Sequence, residues 1–171
     1  YQDIEMVYDL YTHVIKAAEC LNTDSVFRQK LLLAKNKLLP LKIGRYGQLQ
    51  EWIDDVDNPH DHHRHLAHLY ALYPGNRISY TRTPALAQAV RKSLEMRGKG
   101  KFGDRWPHTG GNWSMAWRTA LWARLYDGNQ AIGTFNRMIK ESGYENMMSN
   151  QSGNMQVDAT MATSGPVSYT H

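Results

Sequence analysis

The sequence predicts an all-α fold built from paired antiparallel helices. Apolar residues recur at intervals of three and four over six segments, which is the spacing of amphipathic helices. No segment alternates apolar and polar residues with a period of two, as a half-buried strand would. Short links join the members of a pair, and longer links rich in Gly and Pro separate the pairs. This pattern favours a toroid of helical hairpins with elaborate loops at one end.

The first three helices are predicted from an apolar face and from residues that begin or end helices. The first spans about residues 4–18. The second opens at Thr23 or Asp24, both of which are common N-cap residues, and it stops before Pro40. The third covers about 62–73, where Leu and Tyr residues share one side, and a Pro-Gly pair ends it. We therefore expect the first two helices to form a hairpin.

The last three helices carry the clearer boundary signals. Thr83 is a suitable N-cap, Pro84 fits the first helical position, and Gly98 is suited to end the fourth helix. The fifth helix is predicted over about 113–126 and the sixth over about 131–142, with an Asp-Gly pair between them. The short link between the fifth and sixth helices predicts a second hairpin.

Length, composition and charge limit the possible classes of protein. The 171 residues suffice for one hydrophobic core, and 42% hydrophobic with 21% charged residues is typical of a globular domain. No apolar run approaches the roughly 20 residues of a membrane span. The net charge of +4 is mild, and the basic run at 97–101 is too short for a nucleic-acid arm. We therefore expect neither a membrane nor a nucleic-acid partner, and Cys20 alone excludes an internal disulfide.

The segment 47–57 combines one glutamate, Glu51, with three aspartates and Trp52. An aromatic ring can stack on the apolar face of a sugar, while a carboxyl group can protonate a leaving oxygen or activate water. The same composition also fits a solvated acidic loop anchored by a buried Trp. The sequence leaves both interpretations open.

The segment 60–68 contains five of the eight histidines and Arg64. His65 and His68 would lie one helical turn apart, which raises the possibility of a metal site and of a metal-dependent hydrolase. No His-Glu-x-x-His arrangement is present, and the five rings would point in several directions. We therefore expect hydrogen-bond donors to a hydroxylated ligand rather than metal ligands, with Arg64 as a forked donor.

Two further residues are candidates for a sugar site. Asp158 lies among small and amide residues, where a carboxylate could orient and deprotonate water, although a turn aspartate bonded to its own backbone has the same surroundings. Trp113 stands at the start of the fifth helix and could reach a cleft. Trp117 and Trp122, further along that helix, are more simply core residues.

Taken in order along the chain, four motifs resemble glycoside hydrolase family 95. They are Gly-Gln-Leu-Gln-Glu-Trp at 47–52, the His-Arg-His segment at 63–75, the Trp-Ser-x-Ala-Trp helix at 113–128, and Met-Gln-Val-Asp at 155–158. The resemblance implies an (α/α)6 barrel and an inverting α-L-fucosidase, with many members specific for terminal 1,2-linked fucose. It also implies that residues 1–171 form a single partial domain, the C-terminal half of the barrel.

The resemblance assigns roles residue by residue. Asp158 matches the family aspartate that polarises a pair of water-activating asparagines, and that pair would lie upstream of this chain. Arg64 and His65 match residues that donate hydrogen bonds to the terminal sugar. The general acid of the family is a glutamate that we expect before Tyr1. The role of Glu51 is therefore to shape the cleft or to bind sugar hydroxyls.

We thus expect hydrolysis of a terminal α-L-fucosyl linkage in an oligosaccharide or glycan, with the rest of the barrel as a partner and with no cofactor or metal. Two alternatives are an α-L-galactosidase of the same family and a non-catalytic sugar-binding helical fragment. A secreted or periplasmic location is expected, although the chain carries no signal peptide. The expected catalytic residue is Asp158, and the expected sugar-binding residues are Arg64, His65, Glu51, Trp52 and Trp113.

Overall fold

A computed structural model of the protein describes residues 1–98, 112–144, 149–151 and 154–156. The regular secondary structure of this part of the chain is helical apart from one short antiparallel hairpin, which confirms the all-α prediction. The sequence did not predict the hairpin, because its strands are too short to show alternation. The elements are α1 (Gln2–Cys20), α2 (Ser25–Lys35), α3 (Pro84–Arg97), α4 (Asn112–Arg124), α5 (Gly128–Ser142), β1 (Ser149–Gln151) and β2 (Asn154–Gln156).

The predicted pairing of helices is confirmed at both ends of the chain. α1 packs against α2 across the link at 21–24, and α4 packs against α5 across the link at 125–127. Links this short require the paired helices to run antiparallel. Asp127 begins α5 by accepting a hydrogen bond from the Gln130 N–H at 3.1 Å. The same carboxylate accepts a bond from Arg91 of α3 at 2.6 Å, so it also ties the second hairpin to α3.

The predicted helix over 62–73 is wrong, because only Ala67–Leu69 forms a single 3₁₀ turn. Leu66, which precedes this turn, has φ −132° and ψ 33°, outside the helical region. Leu66, Leu69 and Leu72 are buried, so their helix-like spacing reflects core contacts of an irregular segment. Two of its carbonyl groups, those of Arg64 and Tyr73, bond to side chains of α4, while others accept hydrogen bonds within local turns.

The main core lies where the segment 66–78 packs against α3 and α4. Leu49 enters it from the preceding loop, and its backbone N–H bonds the Ala89 carbonyl at 3.1 Å and the buried Ser93 hydroxyl at 3.0 Å. A smaller cluster between α4 and α5 contains Met115, Ala116 and Met138. The irregular segments are therefore fixed to the helices by buried contacts.

One boundary signal acts differently from the prediction. Thr83 does precede α3, and Pro84 is its first residue, as predicted. The Thr83 side chain does not cap the helix, however, because it accepts a bond from the Ser79 N–H at 2.8 Å and donates to the Ser79 carbonyl at 3.1 Å. The hydroxyl therefore stabilises the turn that leads into α3.

Large apolar side chains are exposed on the first hairpin. Every residue of α2 is exposed or half-buried, including Val26 at 71% and Phe27 at 53% exposure. On α1, Met6 and Leu10 are 47% and 58% exposed. An apolar surface of this kind marks a contact face. None of the helices that the structure describes is both long and apolar enough to cross a membrane.

Candidate functional site

The segment that carries Arg64 and His65 is held against α4 by two long-range hydrogen bonds. The buried Ser114 hydroxyl donates to the Arg64 carbonyl at 2.6 Å. Trp117 Nε1 donates to the Tyr73 carbonyl at 2.8 Å. Both ends of the segment 64–73 are therefore fixed to a single helix, which sets where Arg64 and His65 lie.

An aromatic cleft opens where this segment meets α4 and α1. Its volume is about 510 Å³. The rings of His65 and Trp113 lie 5.8 Å apart between centroids, and Trp113 meets Trp117 edge to face at 5.0 Å. Trp113 is 37% exposed, so its ring remains accessible to a ligand. The cleft is lined by Gln2, Met6, His65, Ala67, Tyr70, Tyr73, Pro74, Trp113 and Trp117.

The imidazole of His65 favours the neutral form. Partial burial lowers its pKa below the ordinary 6.5, and electrostatic repulsion of the protonated ring by neighbouring Arg64 and His63 adds to this shift. A neutral imidazole offers one N–H donor and one nitrogen acceptor, whereas the protonated ring offers only donors. His65, which lies beside the half-buried Arg64, can therefore donate a hydrogen bond to a hydroxyl group or accept one from it.

Glu51 and Trp52 line a second, smaller pocket of about 140 Å³. Asp57, Asp61 and His68 line the same pocket. Trp52 is 58% exposed, so it is not a buried anchor of the loop. The structure thus brings Glu51 together with Trp52, and His65 together with Trp113, but it places the two pairs in different pockets.

An arginine of α3 governs the charge in the smaller pocket. Arg97 pairs with Glu51 and, through Nη1, with Asp61 Oδ2 at 2.6 Å. Burial raises the pKa of Glu51 above its ordinary value, and the Arg97 guanidinium opposes that shift. The carboxylate of Glu51 is therefore engaged in a bridge between α3 and the loop.

The histidine-rich segment does not gather its rings around one point. His62 Nδ1 lies 3.1 Å from the Met96 carbonyl, and the His63 ring is tilted against that of His65 with 5.0 Å between centroids. His68 is buried in the smaller pocket, beside Glu51. Within the described part of the chain, no group of three or more His, Cys, Asp or Glu side chains is arranged to hold a metal ion.

Two residues that matter for the cleft were not identified from the sequence. Ser114 and Trp117 fall within the quoted Trp-Ser-x-Ala-Trp motif, and this motif was the only available signal. Their roles depend on partners far away in the chain, which no local pattern reveals. Asp158, the predicted catalytic residue, lies outside the residues that the structure describes.

Comparison with known proteins identifies the family. The model of the glycosyl hydrolase family 95 catalytic domain matches residues 1–168. Alpha-L-fucosidase 2 of Arabidopsis thaliana is 35% identical over 130 residues, which cover 75% of this chain and 14% of the relative. A probable alpha-fucosidase A of Aspergillus niger is 31% identical over 94% of this chain and 20% of its own length. A probable alpha-fucosidase A of Aspergillus oryzae is 30% identical over 95% and 24%.

The chain spans between 14% and 24% of the length of these relatives. The family match, however, extends over nearly the whole chain and includes both the segment 64–73 and α4. The paired helices are consistent with a fragment of an (α/α)6 barrel, as the motifs implied. The chain therefore belongs to glycosyl hydrolase family 95, within its catalytic domain.

Proposed function

We propose that this chain is part of a glycoside hydrolase that removes terminal α-L-fucose from oligosaccharides or glycans. The observation that carries the proposal is the aromatic cleft in which His65 and Trp113 meet, within a chain of this family. The names of the similar proteins, all alpha-fucosidases, support the same substrate class. The cleft is large enough for a sugar ring and combines apolar faces with polar groups.

The cleft offers two kinds of contact to a sugar. The accessible face of Trp113 can stack on the C–H surface of a pyranose or on its methyl group. The neutral imidazole of His65, which lines the cleft, can bond the ring hydroxyls. Stacking fixes the plane of the sugar, and directional hydrogen bonds fix its rotation in that plane. Together they would position the anomeric carbon for attack.

We assign an inverting mechanism to this site. Inversion needs an acid that protonates the leaving oxygen and an opposing group that activates water, about 6.5–9.5 Å apart. Asp158 would polarise the water-activating groups, and a glutamate in the upstream part of the protein would be the acid. Water then attacks the anomeric carbon while the bond to the leaving oxygen breaks and that oxygen receives a proton. No covalent sugar intermediate forms.

We further propose that residues 1–171 form one part of a larger barrel. The exposed apolar side chains of α1 and α2 would then pack against helices from the rest of the protein. The small share of each relative that the chain covers supports this arrangement. We also propose a secreted or periplasmic location for this enzyme.

The test is hydrolysis of 2′-fucosyllactose by the full-length protein, with the anomer of the released fucose followed by ¹H NMR. We expect the β anomer first, and an Asp158→Asn variant slower by several hundred-fold or more. Asp54→Asn, which removes one exposed carboxylate, serves as the matched control and should retain activity.

Each alternative gives a distinct result in this assay. Initial release of the α anomer would contradict inversion. Activity on an α-L-galactoside in place of the fucoside would identify an α-L-galactosidase. Binding of fucose without release of product from either substrate would identify a non-catalytic sugar-binding protein.

A further inference from the structure

We infer that Ser114 is a positioning residue for the sugar site, because its hydroxyl holds the backbone of Arg64 and thereby places Arg64 and His65 against α4. This inference rests on the proposed function. Ser114 itself is 2% exposed, so it cannot touch substrate and must act through the segment that it holds.

The hydrogen bond of Ser114 is short and partly buried. The Ser114 oxygen lies 2.6 Å from the Arg64 carbonyl oxygen, slightly below the commonest O–H···O distance of about 2.7–2.8 Å. Arg64 and His65 precede the 3₁₀ turn and belong to no helix or strand, so no regular ladder fixes their backbone. The hydroxyl therefore supplies a constraint that secondary structure does not provide at this point.

The geometry of α4 joins this constraint to the aromatic cleft. Trp113 and Trp117 are neighbours on the helix surface, four positions apart, and both line the cleft. Ser114 and Trp117 are three positions apart, and they hold Arg64 and Tyr73 respectively. The helix that presents the Trp113 ring thus also fixes the two ends of the segment that presents His65. As a result, the Trp113 ring and the His65 imidazole are held in a fixed position relative to each other.

Loss of the Ser114 hydroxyl removes a donor from the carbonyl of the half-buried Arg64. A polar group that is shielded from water is costly without its partner, and the chain relieves the cost by moving. A small displacement of Arg64 or His65 weakens every hydrogen bond that they make to the sugar. The structure therefore predicts a loss of sugar recognition from a substitution that removes no contact with the sugar itself.

The experiment compares variants of the full-length protein in fucose release. Ser114→Ala should lower kcat/KM by roughly tenfold, with the change mainly in KM. Ser114→Thr keeps the hydroxyl and should recover most of that loss. Thr119→Val is the matched control, because the Thr119 hydroxyl bonds only to the Met115 carbonyl of its own helix in the described hydrogen-bond network. This variant should stay within about twofold of the wild type.

A double-mutant cycle separates positioning from a general loss of structure. If Ser114 acts through the side chains of Arg64 and His65, Ser114→Ala should cost little once both of these have been replaced by Ala, because the carbonyl that Ser114 holds then positions no contact with the sugar. Additive losses when Ser114→Ala is added to that variant would overturn the inference. Equal kcat/KM for Ser114→Ala and the wild type would overturn it as well, while leaving the proposed function intact.

An NMR measurement that does not depend on enzyme activity distinguishes the positioning role of Ser114 from the proposed function. The His65 ring resonance of the full-length protein, identified by its disappearance in His65→Ala, should shift in Ser114→Ala and stay in place in Thr119→Val. If the wild type releases no fucose but the His65 resonance shifts, the proposed function fails and the positioning role stands. If that resonance does not move, the positioning role fails.

Discussion

The imidazole Nδ1 of His68 lies 3.8 Å from the Glu51 carboxylate, yet the two groups do not form an ion pair. Burial, together with the nearby positive charges of Arg97 and Arg118, lowers the pKa of His68 to about 3. The ring is therefore neutral at physiological pH. The charge of Glu51 is balanced by Arg97 instead, so this pocket is organised by an arginine and not by a histidine.

Because His68 is neutral in the folded protein, we expect the free energy of unfolding to fall as the pH is lowered. Below about pH 6.5 the unfolded chain binds a proton at His68, while the folded protein does so only near pH 3. Stability contributed by the neutral ring is therefore present above pH 6.5 and lost progressively as the pH falls towards 3. Between pH 6.5 and 5.5 the wild type should lose about 1 kcal/mol more than His68→Gln in denaturant unfolding.

Two controls accompany this measurement. The raised pKa values of the Glu5 and Glu51 carboxyl groups act in the opposite direction at lower pH, and they are common to both proteins, so the difference isolates His68. His13→Gln, which replaces an exposed histidine, serves as the control for the His-to-Gln substitution itself. Parallel curves for the wild type and His68→Gln would contradict a neutral His68.

Arg97→Gln should destabilise the fold by about 2 kcal/mol, because it leaves the half-buried Glu51 without its cationic partner. Asp61 loses its ion pair with Nη1 of the same guanidinium. Denaturant unfolding of the full-length protein measures the change. Glu141→Gln removes the exposed pair with Arg137 and should cost less than about 0.5 kcal/mol. Equal costs for the two variants would show that Arg97 is not a structural bridge.

Trp113→Ala should raise the KM for the fucoside by about tenfold, because stacking on the sugar is lost while the acid and the water-activating groups remain. Trp113→Tyr keeps an aromatic face and should lose less. Trp52→Ala tests the second pocket with an equally large exposed ring, and we expect a smaller effect. A larger loss from Trp52→Ala would move the terminal sugar to the pocket of Glu51.

Phe27→Asp tests whether α2 is covered by the rest of the barrel. In the full-length protein we expect destabilisation of several kcal/mol, because a charge would replace an apolar contact. In the isolated 171 residues, where Phe27 is 53% exposed, the same change should reduce self-association and leave stability almost unchanged. The thermal midpoint and light scattering of both forms measure these effects. No destabilisation of the full-length protein would mean that this face stays open.

The helices were predictable where burial follows a helical period. The apolar face of α1 and the Thr-Pro start of α3 are local signals, and both lead to helices at the expected places. The segment 62–73 shows where such reasoning fails. Leu66, Leu69 and Leu72 have helical spacing, but the carbonyls of Arg64 and Tyr73 bond to α4. Local periodicity contains no information on such distant partners.

The same distinction applies to the candidate site. Motif order pointed to Arg64, His65 and Trp113, and the structure brings His65 and Trp113 to one cleft. Glu51 and Trp52 lie in a different pocket from His65 and Trp113. There Arg97 of α3 forms ion pairs with Glu51 and Asp61. This arrangement is tertiary and leaves no signature in the order of residues.

The most direct test of the central claim is kcat/KM for fucose release from a terminal α-1,2-fucoside by the full-length protein, measured for the wild type beside His65→Ala. We expect activity in the wild type and a roughly 10- to 100-fold loss in the variant. The two hydrogen bonds that the imidazole can make to the sugar, one as donor and one as acceptor, and the ring contact with Trp113 all disappear. An active wild type with an unimpaired His65→Ala variant would contradict the claim that this cleft binds the terminal sugar.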